Sequence, residues 1–217
     1  MRLFIAAAIL LTRVASAETM TFDNAKIGTL PSGWISAMTH TGGQPRWEVV
    51  KENGKSDKGQ VLAQLSQDKT SGRFPLAIYD KARLQNGELS VRCKSVSGEV
   101  DQACGIVWRY RDANNYYITR ANALENNVVL YKVQDGERRA LAPKGQPSRA
   151  YGVKHPVPSG QWNELRVKFD GNLMTVCFIG QQLFEVEDGS FTEAGNVGVW
   201  TKADSVTYFD DFRFSRR

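Results

Sequence analysis

Apolar and polar residues alternate along much of this chain. Glu88-Leu-Ser-Val-Arg-Cys-Lys-Ser-Val96, Trp162 to Phe169 and Met174 to Phe178 each switch character from residue to residue. Strand side chains point in turn to two faces, so a period of two predicts half-buried β-strands. Turn signals stand between the runs: Pro31-Ser-Gly33, Asn86-Gly87, Ser97-Gly98, Asp112-Ala-Asn-Asn115, Asp135-Gly136, Asp170-Gly171, Gly180 and Asp188-Gly189. Asn-Gly and Asp-Gly tolerate the positive backbone angles of tight hairpins. No stretch sustains a 3.6-residue apolar period with helix caps. The pattern predicts about a dozen short strands in an all-β, antiparallel β-sandwich or barrel. The 217 residues suit one such domain. Thr21-Phe-Asp-Asn24 and Tyr208 to Phe214 are both strand-like and are expected to pair, which would protect a sheet edge. Lys51–Gln60 and Pro143–Pro158 break the alternation and read as long surface loops.

The N-terminus has a different pattern. Met1-Arg2 is followed by the apolar run Leu3–Leu11, then Ala15-Ser-Ala17 before Glu18. This is the layout of a secretory signal peptide cleaved after Ala17, leaving 18–217 as one exported domain, periplasmic or secreted. The run is about half a bilayer span, and no later window is long and apolar enough for a transmembrane segment. The formal charge of +5 includes Arg2 and Arg13, so the mature excess is milder still and implies no nucleic-acid partner. Cys93 and Cys104 flank a turn centred on Gly98 and could form a disulfide across a hairpin. Otherwise all three cysteines, with Cys177, are small buried hydrophobes. With two histidines and no CxxC, a structural zinc site is not expected.

Candidate chemistry is densest between Asp101 and Tyr131. Alternation puts Gly105, Val107, Arg109 and Arg111 on one face and Cys104, Ile106, Trp108 and Tyr110 on the other, the core face. Pairing the strands about Ala113 sets Arg109 opposite Tyr117 and Val107 opposite Thr119, with Gly105 leaving room for a ligand. A one-residue slip would exchange every assignment in the second strand. On this register Arg120 and Asn122 fall on the core face, where Arg120 needs a partner such as Glu125. The alternative is that Arg120, Asn122, Glu125 and Asn126 line a pocket at the strand end. Planar polar side chains beside aromatics suit sugar hydroxyls and ring faces. One or two of the five tryptophans are expected at the surface as platforms. Templates for nucleotide binding, zinc proteases and serine hydrolases are absent. A two-carboxylate glycosidase needs acids about 5–9 Å apart. The weak candidates for that role are Asp101, Glu125, and the pair Glu185 and Glu187, which sit two apart on one strand face. Asp23, Asp210 and Asp211 would gather where the terminal strands pair, and could either hold a structural calcium ion or cap strand ends.

Asp101–Val133, Arg73-Phe-Pro-Leu76, Leu183–Asp188 and Gly198–Val206 resemble bacterial exported proteins of the concanavalin A-like lectin/glucanase superfamily. More narrowly, the resemblance is to domains near the family-16 glycoside hydrolases and to the 3-keto-disaccharide hydrolase-like domain. It runs from about Thr21 to Phe214, most specifically at Trp108–Tyr117 and Arg120–Asn127. It implies a jelly roll of two antiparallel sheets, with carbohydrate on the concave face. The E-x-D-x-x-E acid signature of laminarinase-type family-16 enzymes is missing. Gln102-Ala-Cys-Gly105 and Trp200-Thr-Lys-Ala-Asp204 also depart from the keto-disaccharide hydrolase-like pattern. The first expectation is therefore an exported domain that binds a saccharide through Arg109, Tyr117, Arg120, Asn122, Glu125 and Asn126. The alternatives are a glycoside hydrolase working through a carboxylate pair, and an envelope interaction domain with no sugar site. The sequence leaves saccharide identity and oligomeric state open.

Overall fold

The computed structural model describes residues 17–52 and 59–217. The expected signal peptide lies outside the described residues except for Ala17, as does the middle of the Lys51–Gln60 loop. In chain order the strands are β1 (Ala17–Met20), β2 (Trp34–Thr39), β3 (Trp47–Lys51), β4 (Gln60–Gln64), β5 (Phe74–Leu84), β6 (Gly87–Ser97), β7 (Ala103–Asp112) and β8 (Asn115–Asn122). They continue with β9 (Asn127–Gln134), β10 (Glu137–Ala140), β11 (Val153–Lys154), β12 (Asn163–Asp170), β13 (Leu173–Phe178), β14 (Gln181–Glu187), β15 (Gly195–Trp200) and β16 (Val206–Arg216). Among the described residues there is no helix. The strands form two antiparallel sheets. Sheet A has the order β14-β13-β12-β6-β16-β4-β3, with β1 also on β16. Sheet B runs β10-β9-β8-β7-β15-β5-β2, with β11 also on β9. The all-β jelly-roll sandwich is as expected. The terminal strands do pair, but the opening one is Ala17–Met20 rather than Thr21–Asn24.

Alternation explains the main core. Leu89, Val91 and Cys93 of β6, with Leu165, Val167 and Phe169 of β12, face Cys104, Ile106 and Trp108 of β7 and Val197 and Val199 of β15. Trp108 stacks on Tyr117 of its own sheet and on Phe169 of the other, at 5.6 and 5.9 Å between ring centres. Each such pair contributes about 0.5–1.5 kcal/mol beyond area burial. Cys93 and Cys104 are disulfide-bonded. The bond spans the two sheets rather than a hairpin, because the chain crosses from sheet A to sheet B between β6 and β7. Cys177 is free. Asp204 secures that crossover: its carboxylate accepts the backbone N–H groups of Glu99, Val100 and Asp101 at 2.7–3.1 Å.

The outer faces differ. On sheet A, Glu88, Ser90, Arg92 and Lys94 alternate with the core residues of β6 and meet solvent. On sheet B the outer face is itself apolar and buried. Phe74, Leu76, Ile78, Val107, Tyr116, Ile118, Val129, Tyr131, Val133 and Trp200 form a second cluster there. Curvature covers it. Three strands stand between β2 and β8, a flat separation of about 19 Å at ordinary strand spacing. Yet Thr39, at the end of β2, lies 2.7 Å from the Tyr116 hydroxyl and donates to Ala113 O at 2.5 Å. The next residue, His40, sits 2.8 Å from both Gly72 O and Gly136 O. One corner of the sheet is thus drawn onto the β7–β8 and β9–β10 turns diagonally across it, and the face between them is concave.

Candidate functional site

The observed β7–β8 register pairs Val107 with Ile118 and Gly105 with Arg120, one residue from the expected pairing. The slip reverses the second strand. Tyr117 turns into the core, while Arg120 and Asn122 join Gly105 on the outer face of sheet B. A β-bulge makes a second correction. Arg109 has a φ of +47°, and the ladder is irregular between Trp108 and Asp112. Past this kink Tyr110 emerges on the outer cluster, not in the main core, and Arg109 swings into the interior.

Arg109 is fully occupied there. Nε donates to Gln85 O at 3.0 Å, Nη1 to Phe191 O at 2.6 Å and Nη2 to Gly171 O at 2.7 Å, while the guanidinium rests on the Phe169 ring. Three loop carbonyls and an aromatic ring hold it with no surface left exposed. Tyr117 is buried likewise, donating to Asp188 Oδ1 at 2.5 Å and accepting from Phe191 N. Asn126, at φ +47°, spends its side-chain oxygen on Val157 N, fastening the 143–158 excursion. Gly105 leaves no room for a ligand: an added Cβ would lie 2.9 Å from Ile118 and 3.1 Å from Trp200.

Four of the expected residues do come together. Arg120, only 1% exposed, donates from Nη1 to Asn127 Oδ1 at 2.5 Å. Its Nη2 reaches Glu125 Oε2 at 2.8 Å and the hydroxyls of Tyr131 and Tyr151 at 3.0 Å each. Asn127 Nδ2 also donates to Glu125 Oε2, at 2.9 Å. Asn122 Nδ2 donates to Asp101 Oδ1 at 2.8 Å and to Glu125 Oε1 at 3.4 Å, so those carboxylate oxygens lie within about 6 Å of each other. Lys202 pairs with the other oxygen of Asp101 at 2.7 Å. The expected Arg120–Glu125 pair therefore exists, as part of a polar network at the strand end. Asn127, Tyr131, Tyr151 and Lys202 were not foreseen. Strand alternation from Arg120 across to β9 would have found Tyr131, whereas Tyr151 arrives from an irregular loop and carries no local signal.

The two carboxyls feel opposite fields. Burial pushes Asp101 above the ordinary carboxylate value, against the pull of Lys202 and Arg120. Burial also raises Glu125, but the Arg120 charge and the hydrogen bonds from Arg120 and Asn127 outweigh it, and the carboxyl sits below its ordinary value. Burial lifts the Tyr131 phenol, against its arginine neighbours. Tyr151 forms the open side of the cluster, 48% exposed, its ring 5.9 Å from that of Tyr131.

The remaining candidates lie elsewhere. Glu185 and Glu187 share the outer side of β14 at the edge of sheet A, where Glu187 pairs with Lys144. Glu185 lines an open groove of about 460 Å³ beside the 143–153 segment, in which it is the one carboxylate among the lining residues. Asp23 accepts from Gln60 N and Asp211 pairs with Arg92. Asp210 is buried on β16. Among the described residues no three acidic, histidine or cysteine side chains converge to hold a metal ion. Of the tryptophans, Trp34, Trp47, Trp108 and Trp200 are buried and Trp162 is half-buried; the ring open to solvent beside the Arg120 cluster is that of Tyr151.

Several solved structures share the fold. Carbohydrate-binding module CBM66 from Bacillus subtilis superposes with a TM-score of 0.61 at 16% identity, covering 83% of this chain and 94% of its own. Domain 4 of AbnA, a GH43 extracellular arabinanase from Geobacillus stearothermophilus, solved with arabinotriose, gives 0.55 at 15% identity, with 93% and 92% covered. A Bacillus subtilis protein with a galectin-like fold gives 0.54 at 14% identity, with 85% and 90% covered. At these identities the likeness is one of fold. No curated protein sequence matches the chain. The family model of the 3-keto-alpha-glucoside-1,2-lyase-like domain, however, matches residues 19–215, and the chain belongs to that family.

Proposed function

We propose that the concave face of sheet B binds a saccharide at its Arg120–Glu125 end. One observation carries the reading: a preorganised network of Arg120, Asn122, Glu125 and Asp101 stands directly beside the exposed ring of Tyr151. Arg120, Asn122 and Asp101 are buried and hold the network in place, while Glu125, its side chain 38% exposed, can accept from sugar hydroxyls and the Tyr151 ring offers a face for the C–H side of a sugar ring. The family and the sugar-binding structures of the same fold support the choice of ligand. Thermal-shift and calorimetric titration of the protein against a glycan panel that includes 3-keto-α-glucosides tests it. Saturable binding that Glu125→Gln weakens at least tenfold is expected. A full response in that variant would place the site elsewhere.

The opposed Asp101 and Glu125 environments favour a second reading, proton transfer on the bound sugar. Two carboxyls driven apart, within about 6 Å, suit an acid and a base. Turnover would then rise with pH as Glu125 ionises, below the ordinary carboxylate range. It would fall as Asp101 loses its proton above that range. A pH profile with 3-keto-α-glucoside as substrate checks both limbs, and Asp101→Asn should remove the upper one.

A further inference from the structure

The cations around the concave face are unequally matched. Arg120 is paired with Glu125, and Lys202 with Asp101. Arg138 of β10 is different. Its guanidinium carbon lies 4.5 Å from the Tyr131 ring centre, 4.7 Å from Phe74 and 5.8 Å from Trp200. Among the described residues no carboxylate stands within ion-pair distance of it, and its buried Nη1 has no acceptor. Three ring faces offset part of the desolvation of a guanidinium, but they do not satisfy its N–H donors. Arg138 is only half-buried, so the donors at its outer edge can be reached from solvent.

The position of Arg138 ties it to the proposed site. Tyr131 carries Arg138 over its ring and also bonds Arg120 and Tyr151 through its hydroxyl. A sugar lying on Tyr151 beside Glu125 therefore has Arg138 one aromatic ring away. Arg120 and Lys202 each have a carboxylate beside them, and Arg138 is the cation of the cluster that has none among the described residues.

Resting on the saccharide-site reading, the geometry points to an acidic saccharide as the preferred ligand, its ring carboxylate received by Arg138. A planar carboxylate can accept two parallel N–H bonds from a guanidinium, which a hydroxyl cannot do. A neutral sugar would leave the Arg138 charge as it stands now.

The test compares methyl β-D-glucuronoside with methyl β-D-glucoside by calorimetry on the protein at low and high salt. The glucuronoside is expected to bind about tenfold tighter or more, with the advantage shrinking as salt rises. Arg138→Gln should abolish the advantage, so that the two sugars bind that variant with equal affinity. Arg138→Lys, which keeps the charge without the fork, should retain part of it. Equal affinity for the two sugars in the unaltered protein, a measurement needing no variant, would overturn the inference while leaving the saccharide site standing. An acid preference that survives Arg138→Gln would overturn it too. Binding of neither sugar would sink this inference together with the glucoside-sized site on which it rests.

Discussion

Arg109 and Tyr151 exchange the roles that their sequence contexts suggest. Arg109 sits in the densest polar-aromatic run, yet its donors are spent on loop carbonyls from three separate segments. Replacing it by alanine leaves those carbonyls buried and unpaired, at about 1–3 kcal/mol for each group. Arg109→Ala should lower the melting temperature by about 10 °C or more. The loss at saccharide-binding positions should be no greater than unfolding explains, a distinction that titration well below the transition will make. Tyr151 presents the converse case. Its ring is open to solvent and its hydroxyl meets Arg120, so Tyr151→Ala should weaken saccharide binding about two- to tenfold and shift melting by only a few degrees. Calorimetry and thermal melts on the same two variants check both expectations.

At the level of elements, the crossover from β6 to β7 depends on one carboxylate. Burial raises the Asp204 carboxyl, but three backbone N–H donors outweigh that and hold it below its ordinary value. A carboxyl lowered on folding stabilises the native state above its unfolded value, near 4, and that stabilisation is lost as pH falls through the folded value. Stability of the protein should therefore decline below about pH 4, with Asp204→Asn showing a shallower decline from a lower starting point in acid titrations followed by circular dichroism. The strands themselves were legible because alternation is a local signal: β6, β12 and β13 stand where the period of two places them. What alternation could not carry was the bulge at Arg109 and the single-residue slip against β8. Both depend on how a strand meets its neighbour, and together they moved Arg109 and Tyr117 inside and Arg120 and Asn122 out. Tyr151 was hidden for a related reason, since its approach to Arg120 is set by the path of a loop with almost no strand of its own.

For the molecule as a whole, the link between Cys93 and Cys104 joins the two sheets across the main core. Closing a loop of this size restricts the unfolded chain by about 3 kcal/mol. Reduction, or Cys93→Ser with Cys104→Ser, should lower the denaturant midpoint by a corresponding amount without altering the two-sheet architecture, since Leu89, Val91, Ile106 and Trp108 still pack around the gap. The diagonal bridge made by Thr39 and His40 acts at the same scale. It closes one corner of the concave face, while Tyr151, beside Arg120 at the far end of β8, stays open to solvent. On the proposed saccharide site, such an end wall favours a polymer presented by its terminus over one threaded across the face. Affinity measured against oligosaccharides of rising length should accordingly level off after the first few residues, and capping the chain end should cost more than extending the tail gains.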